Sequence, residues 1–169
     1  KGGAGDDTYI VDNAADVVTE TAAAGNDTVQ ASVTHTLALN VETLILTGGG
    51  ALNGTGSSQS NRLEGNNGAN ALNGAGGNDL LLGHGGADTL TDLTGRDALD
   101  GGLGNDLLIG GSNRQFFAGG IGADTLTLGG GADVVAFNRG QGAERISAPT
   151  SGSGQGERSE EHTSELQSL

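Results

Sequence analysis

The chain has 169 residues, including 34 glycines, one proline, three phenylalanines and one tyrosine, so its core cannot rest on large aromatic side chains. Its formal net charge of -14 disfavours nucleic acids and anionic membranes as partners and favours cations. The lack of cysteine excludes disulfides and thiolate metal sites, which leaves the oxygen ligands that suit Ca2+. No apolar run has the length of a transmembrane helix, so no membrane span is expected.

The sequence of residues 1–55 predicts divergent copies of a repeat that becomes regular further along the chain. They open with GGAGDDTYI at residues 2–10, and the related stretch GNDTV follows at residues 25–29. Residues 41–56, VETLILTGGGALNGTG, combine an apolar run with a glycine-rich turn. We therefore expect this part to be a solenoid that continues into the regular region.

Residues 56–136 repeat with a period of nine. Large apolar residues recur at this spacing: Leu63, Leu72, Leu81, Leu90, Leu99, Leu108, Phe117, Leu126 and Val135. An acid or amide stands two residues before each: Asn61, Asn70, Asp79, Asp88, Asp97, Asp106, Gln115, Asp124 and Asp133. By chance, such a series has odds on the order of one in 10^5. The unit is GGxGxDxUx, where U is apolar, and it is complete at residues 2–10, 101–109 and 119–127.

Each unit predicts a six-residue turn and a three-residue strand, because glycine tolerates positive φ angles whereas Leu, Thr, Val and Ile favour extended backbone. Two units form one flattened coil of 18 residues, and coils stack by parallel strand pairing at about 4.8 Å. The predicted fold is all-β, a right-handed parallel β-roll. One buried side chain per strand is a thin core for a glycine-rich chain, so we expect bound metal to contribute to its stability.

Because a coil contains two units, the turns alternate between two edges of the roll. The first edge comprises residues 65–70, 83–88, 101–106 and 119–124, and the second edge comprises residues 74–79, 92–97, 110–115 and 128–133. Three consecutive first-edge turns keep aspartate, whereas Leu93, Asn113 and Gln115 interrupt the second edge. Carboxylates stacked about 5 Å apart repel by roughly 3 kcal/mol at an effective dielectric near 20, and a divalent cation between them reverses the sign. We expect calcium chiefly on the first edge.

The predicted calcium ligands are carboxylates and turn carbonyls, since Ca2+ accepts about six to eight oxygens. They are Asp88, Asp106, Asp124, Gly83, Gly85, Gly101 and Gly119 on the first edge, Asp79, Asp97 and Asp133 on the second edge, and Asp6 in the first repeat. The early asparagines are predicted to form an inward hydrogen-bonded ladder instead: Asn61, Asn66, Asn67, Asn70 and Asn73. His35 and His84 are expected at the solvated surface.

Catalysis is not predicted for this chain. The sequence contains no GxSxG, HExxH or phosphate-binding lysine loop. Its aspartates follow the repeat rather than a cleft, so we expect no catalytic residues and no enzyme activity.

Regular spacing ends after Val135. Residues 137–157 contain a degenerate last unit, in which Gly142, Glu144 and Ile146 keep the pattern after a two-residue slip, and a polar segment that we expect to be disordered. The stretch RSEEHTSELQS at residues 158–168 resembles a frame translation of a common sequencing adapter. We interpret residues 158–169 as an adapter-derived tail and the chain as an internal fragment.

The nonapeptide resembles the calcium-binding repeat of the repeats-in-toxin family. The match is specific in residues 56–136 and looser in residues 1–55. Members include toxins, proteases, lipases and polysaccharide epimerases that leave Gram-negative cells by one-step (type I) export. The resemblance implies several Ca2+ ions as cofactors and a secreted module that is unfolded at low cytosolic calcium and coils outside the cell.

Two other roles stay open at the level of sequence. The chain fits a structural or adhesive repeat array of a surface protein, and it fits the accessory roll of a secreted protease, lipase or polysaccharide epimerase. In each case the partners are calcium ions and the rest of the parent protein, while contacts with a cell surface or polysaccharide are undetermined.

Overall fold

The computed structural model describes residues 2–22, 25–137 and 142–147. In these ranges every regular element is a strand. The strands are β1 (Thr8–Val11), β2 (Thr28–Ala31), β3 (His35–Thr36), β4 (Thr43–Leu46), β5 (Asn53–Thr55), β6 (Arg62–Glu64), β7 (Ala71–Asn73), β8 (Leu80–Leu82), β9 (Thr89–Asp92), β10 (Ala98–Leu103), β11 (Leu107–Gly110), β12 (Phe116–Ile121), β13 (Thr125–Thr127), β14 (Val134–Ala136) and β15 (Arg145–Ser147).

The strands form two parallel sheets. One has eight strands in the order β1-β2-β4-β6-β8-β10-β12-β14, and the other has seven in the order β3-β5-β7-β9-β11-β13-β15. The chain is thus a β-solenoid of about seven turns with about 18 residues each, which confirms the predicted all-β parallel roll. Within the described ranges, no helix is long and apolar enough to cross a membrane.

The nine-residue pattern determines the core. Parallel register places its apolar residues opposite one another, as Leu99 stands between Leu81 and Phe117 in the eight-stranded sheet. Because successive strand residues point to opposite faces, Phe117 is fully buried while Phe116 is 41% exposed. The interior is therefore one stack of apolar side chains beneath each sheet, and the acidic turns flank it on both edges.

Two strands are twice as long as the predicted three residues. The six-residue strands β10 and β12 continue into their turns, where Gly102 pairs with Gly120 and Leu103 with Ile121. Both turns begin with two glycines, and glycine accepts the positive φ of Gly102 (97°) and Gly120 (105°). Without side chains in the way, the two turn backbones approach closely enough to pair.

The coil length is regular only in the middle of the chain. The N–H of Asp7 donates to Asp27, 20 residues later, and the N–H of Asp27 donates to Glu42, 15 residues later. Strands β1 to β5 nevertheless belong to the same two sheets as the regular coils. At the other end, Ile146 pairs opposite Leu126, which confirms the predicted two-residue slip. The predicted disordered segment begins at Ser147, which is instead the last residue of β15. The rest of that segment and the adapter-like tail lie outside the described residues.

Candidate metal centre

The acidic turns occupy the two edges that the repeat predicts. First-edge turns lead from the eight-stranded sheet to the seven-stranded sheet, as residues 101–106 do between β10 and β11. Second-edge turns lead back, as residues 92–97 do between β9 and β10. Equivalent turns on one edge are therefore stacked one coil apart.

The first-edge aspartates connect successive coils. The N–H of Asp88 donates to Oδ1 of Asp106 (2.8 Å), and the N–H of Asp106 donates to Oδ1 of Asp124 (2.9 Å). The ladder begins at Asn70, whose N–H donates to Oδ1 of Asp88 (2.7 Å). All three aspartates are at most 2% exposed. These bonds satisfy one oxygen of each carboxylate.

The second oxygen of each first-edge carboxylate is buried without a donor. This holds for Oδ2 of Asp88, Asp106 and Asp124. A Cβ on Gly83 would collide with both Asp88 Oδ2 and the Gly101 carbonyl oxygen, and one on Gly101 would collide with Asp106 Oδ2 and the Gly119 carbonyl oxygen. Unpaired buried oxygens facing other acceptors are costly, and a hard cation is the partner that oxygen ligands of this kind accept. The residues present therefore fit Ca2+.

In the neutral turns, where an amide replaces the aspartate, the side chain at that position has its own hydrogen-bond partners. The second N–H of each turn donates to the amide oxygen at the aspartate position, as Asn66 does to Asn70 (2.8 Å) and Gly111 does to Gln115 (2.8 Å). The amide nitrogens donate to carbonyls, as Asn70 Nδ2 does to Leu52 (2.7 Å). The inward ladder is thus confirmed for Asn70, for its equivalent Asn61 and for Asn66 in the same turn as Asn70.

Two asparagines assigned to that ladder lie outside it. Asn67 and Asn73 are exposed. Asn67 is in the outer part of its turn, and Asn73 is the last residue of β7, where the alternation of the strand directs it away from the core. The inward prediction is therefore wrong for these two residues.

The aspartates of the second edge differ in whether their carboxylate oxygens have hydrogen-bond donors. Asp97 is satisfied on both oxygens, by the N–H of Asp79 (3.0 Å) and by Nε2 of Gln115 (2.7 Å). Asp133 is half-buried and accepts the N–H of Gln115 (2.9 Å). Asp79 and Asp92 each leave a buried Oδ2 without a donor. Sequence reasoning passed over Asp92, although an aspartate in place of a turn glycine was a visible signal.

Burial destabilises the ionised form of these carboxyls. It raises the pKa of Asp88 to about 6, and the charge of Asp106 adds to the shift, while the N–H of Asn70 opposes it. Burial likewise raises the pKa of Asp106, with the charges of Asp124 and Asp100 adding to it. The pKa values of Asp79 and Asp92 are also raised, chiefly by burial. A bound cation would favour the ionised form of these groups and so would oppose the upward pKa shifts.

A further acidic group lies in the early coils. Ligand atoms of Asp7, Glu20 and Asp27 lie within 4.8 Å of one another, and Oδ2 of Asp7 and Asp27 have no donor. The Tyr9 hydroxyl donates to Glu20. The predicted ligand Asp6 is outside this group, because it is exposed and accepts the N–H of Asn26 (2.8 Å). Asp7, two residues before Tyr9, holds the motif position.

The predicted carbonyl ligands differ in what they contact, and the two histidines differ in exposure. The carbonyls of Gly101 and Gly119 lie beside unpaired carboxylate oxygens, whereas that of Gly83 lies beside the neutral Asn70 turn. For Gly85 the structure shows a backbone hydrogen bond, in which its N–H donates to the carbonyl of Asn66 (3.3 Å). His84 is exposed near Glu64, as predicted. His35 is only partly exposed and its Nε2 is buried, so the solvated assignment is wrong there.

A parallel roll with stacked acidic turns defines a calcium-binding repeat protein. A family model, the RTX calcium-binding nonapeptide repeat, matches residues 55–90, 82–114 and 109–142. These matches cover just over half of the chain, and the protein belongs to this family. No curated protein and no solved structure matches the chain.

Proposed function

We propose that this chain is a calcium-dependent folding module of a secreted protein. The observation that carries the proposal is the row of buried Oδ2 atoms without donors at Asp88, Asp106 and Asp124. These carboxylates, together with the Gly101 and Gly119 carbonyls, would hold Ca2+ between successive first-edge turns. The ion would supply the positive charge that the buried oxygens lack.

Calcium binding would be coupled to folding. The ligands of one site come from successive coils, so they are brought together only in the folded roll. A ligand that binds only the folded form stabilises it by about 2.7 kcal/mol at 100 times its dissociation constant. Several such sites would decide the fold of a chain whose regular coils bury one apolar side chain per strand.

The coupling suits an extracellular destination. Calcium sites of extracellular modules have dissociation constants of about 10^-4 to 10^-3 M, well above cytosolic calcium and close to concentrations outside cells. We infer a chain that is unfolded inside a Gram-negative cell, is exported by the one-step route, and coils outside. The binding role assigns no catalytic step to its residues.

Circular dichroism of the full chain tests this function. In chelator we expect a largely disordered spectrum, and in millimolar Ca2+ a β-rich one. Mg2+ is the matched control, because it is smaller and demands a stricter geometry, so it should leave the spectrum close to that in chelator. Full β content in chelator would rule out the folding switch.

A further inference from the structure

Asp92 stands at a position where its neighbours on the second edge have glycine. The equivalent first residues of the adjacent turns are Gly74 and Gly110. Asp92 is the last residue of β9 and is completely buried. A carboxylate in such a place requires a partner, since burial of an unpaired charge is expensive.

The Asp92 side chain replaces a carbonyl oxygen of the regular site. On the first edge, a Cβ added to Gly83 would meet the Asp88 carboxylate and the Gly101 carbonyl. On the second edge, a Cβ added to Gly74 would meet the carboxylates of Asp79 and Asp92. Two carboxylates thus converge where the first-edge turns offer one carboxylate and one carbonyl.

When both carboxyls are ionised, neither converging oxygen has a donor. Asp79 is 3% exposed and Asp92 is not exposed, and Oδ2 of each is buried with no hydrogen-bond partner. Oδ1 of Asp79 is already used by the N–H of Asn61 (2.7 Å), so it is Oδ2 that remains for a ligand. Atoms of Asp79, Asp92 and Asp97 lie within 4.8 Å of one another.

Gln115 forms a hydrogen bond with Asp97, the third acid of the group. Its Nε2 donates to Oδ2 of Asp97 (2.7 Å) and to the carbonyl of Asp92 (2.9 Å). Its Oε1 is occupied by the N–H of Gly111 (2.8 Å). Gln115 therefore binds one carboxylate and holds the Asp92 backbone, and it leaves Asp79 and Asp92 as the two free acids.

We propose that Asp79 and Asp92 form a calcium site on the second edge in which a second carboxylate takes the place of the turn carbonyl. The proposal rests on calcium binding by the roll, but it uses a ligand that the repeat does not encode. Ligand charge and rigidity are what tune calcium affinity. With one more charged ligand and a wall fixed by Gln115, this site fills at lower calcium than the first-edge sites.

The test is a calorimetric Ca2+ titration of the full chain and of Asp92→Gly. This substitution restores the glycine of the repeat, so we expect the variant to fold. We expect one ion fewer per chain and loss of the tightest binding phase, with the weaker phases unchanged within twofold. Leu93→Gly is the matched control, because it restores the repeat at the next residue of the same turn without removing a carboxylate, and it should keep all ions.

Two further variants keep the result decisive. Asp79→Asn should remove the same ion as Asp92→Gly, and the double variant should lose no more than either alone. If Asp92→Gly shows less β structure in saturating calcium, Asp92→Asn, which keeps the shape, should show the same loss of one ion in a folded chain. An unchanged ion count and midpoint in Asp92→Gly or in folded Asp92→Asn would overturn the site while leaving first-edge binding intact. A wild-type chain that binds no calcium would overturn the proposed function itself.

Discussion

On the first edge of the roll, three aspartates each leave one buried carboxylate oxygen without a donor, whereas on the second edge Asn61 and Gln115 close their own turns with amides. The difference lies in one side chain per turn, because an amide brings its own donor and a carboxylate does not. The comparison teaches that neutral turns are complete without metal, whereas an acidic turn is complete only where a neighbouring amide supplies the donor, as Gln115 does for Asp97.

Removing a central acid should have the largest effect. The turn of Asp106 lies between those of Asp88 and Asp124, so it would contribute to two sites, with its first carbonyl at one and its carboxylate at the other. Asp133, in contrast, contacts the neutral Gln115. Asp106→Ala should lower the number of bound ions and raise the calcium midpoint of folding far more than Asp133→Ala. Loss of one site held at 100 times its dissociation constant removes about 2.7 kcal/mol. Equal effects in calorimetric titration would contradict the edge assignment.

Close stacking of the first-edge backbones gives the next effect. Gly104 has φ of 135°, and a Cβ there would overlap the Gly86 carbonyl oxygen. Gly104→Ala should lower the free energy of unfolding in calcium by about 1–3 kcal/mol or more. Gly130→Ala on the second edge is the control, since its Cβ would lie 3.5 Å from the nearest atom, and it should change stability by less than about 0.5 kcal/mol. Thermal melts in saturating Ca2+ measure both, and equal melting temperatures would argue against tight stacking.

At low pH, protonation of the buried carboxyls should partly replace calcium in stabilising the fold. Burial raises the pKa of Asp88 to about 6 in the folded chain, above the value of about 3.9 for an unfolded aspartate. Its stabilising contribution is therefore present below about pH 4 and is lost as pH rises through about 6. In calcium-free buffer, β content should fall as pH rises from about 4 to about 6.

With saturating calcium the pH dependence should reverse, because the ion requires ionised ligands. Circular dichroism at matched pH values compares the two conditions. A calcium-free chain whose β content rises with pH would contradict the assigned burial of the carboxyls.

Converting a neutral turn into an acidic one should create a smaller change. Gln115→Asp removes the amide that satisfies Oδ2 of Asp97, so both carboxylates would need a cation. We expect one additional ion at saturation and a higher calcium midpoint for folding. Gln115→Asn retains an amide like Asn61 and Asn70 and should bind no additional ion. If the two variants titrate alike, the amide is not what makes this turn independent of metal.

The repeat predicted the fold because one period sets both the strand and its buried residue. Leu81, Leu99 and Phe117 align as the spacing requires. Longer strands at β10 and β12 were not predictable, because they depend on two glycine pairs meeting on adjacent coils. Pairing between coils is a tertiary effect that a single unit does not contain.

The ligand types were predictable, but the state of each oxygen was not. The unit gives Asp79 and Asp97 the same position, yet Gln115 satisfies Asp97 from the next coil and leaves Asp79 free. Which neighbour stacks on a turn decides whether its acid needs a cation. For Asp6 and Asp7 the phase was readable, because Asp7 stands two residues before Tyr9. The structure leaves Asp6 exposed and places Asp7 in an acidic group.

The central claim is that unpaired first-edge carboxylates make the roll depend on calcium. The direct test compares the wild-type chain with the triple variant Asp88→Asn, Asp106→Asn and Asp124→Asn by circular dichroism in chelator and in millimolar Ca2+. Removing three buried charges should give the variant more β structure in chelator than the wild type, and calcium should change its spectrum much less. A variant that still needs calcium as strongly as the wild type, or that gains no β structure in chelator, would contradict the account.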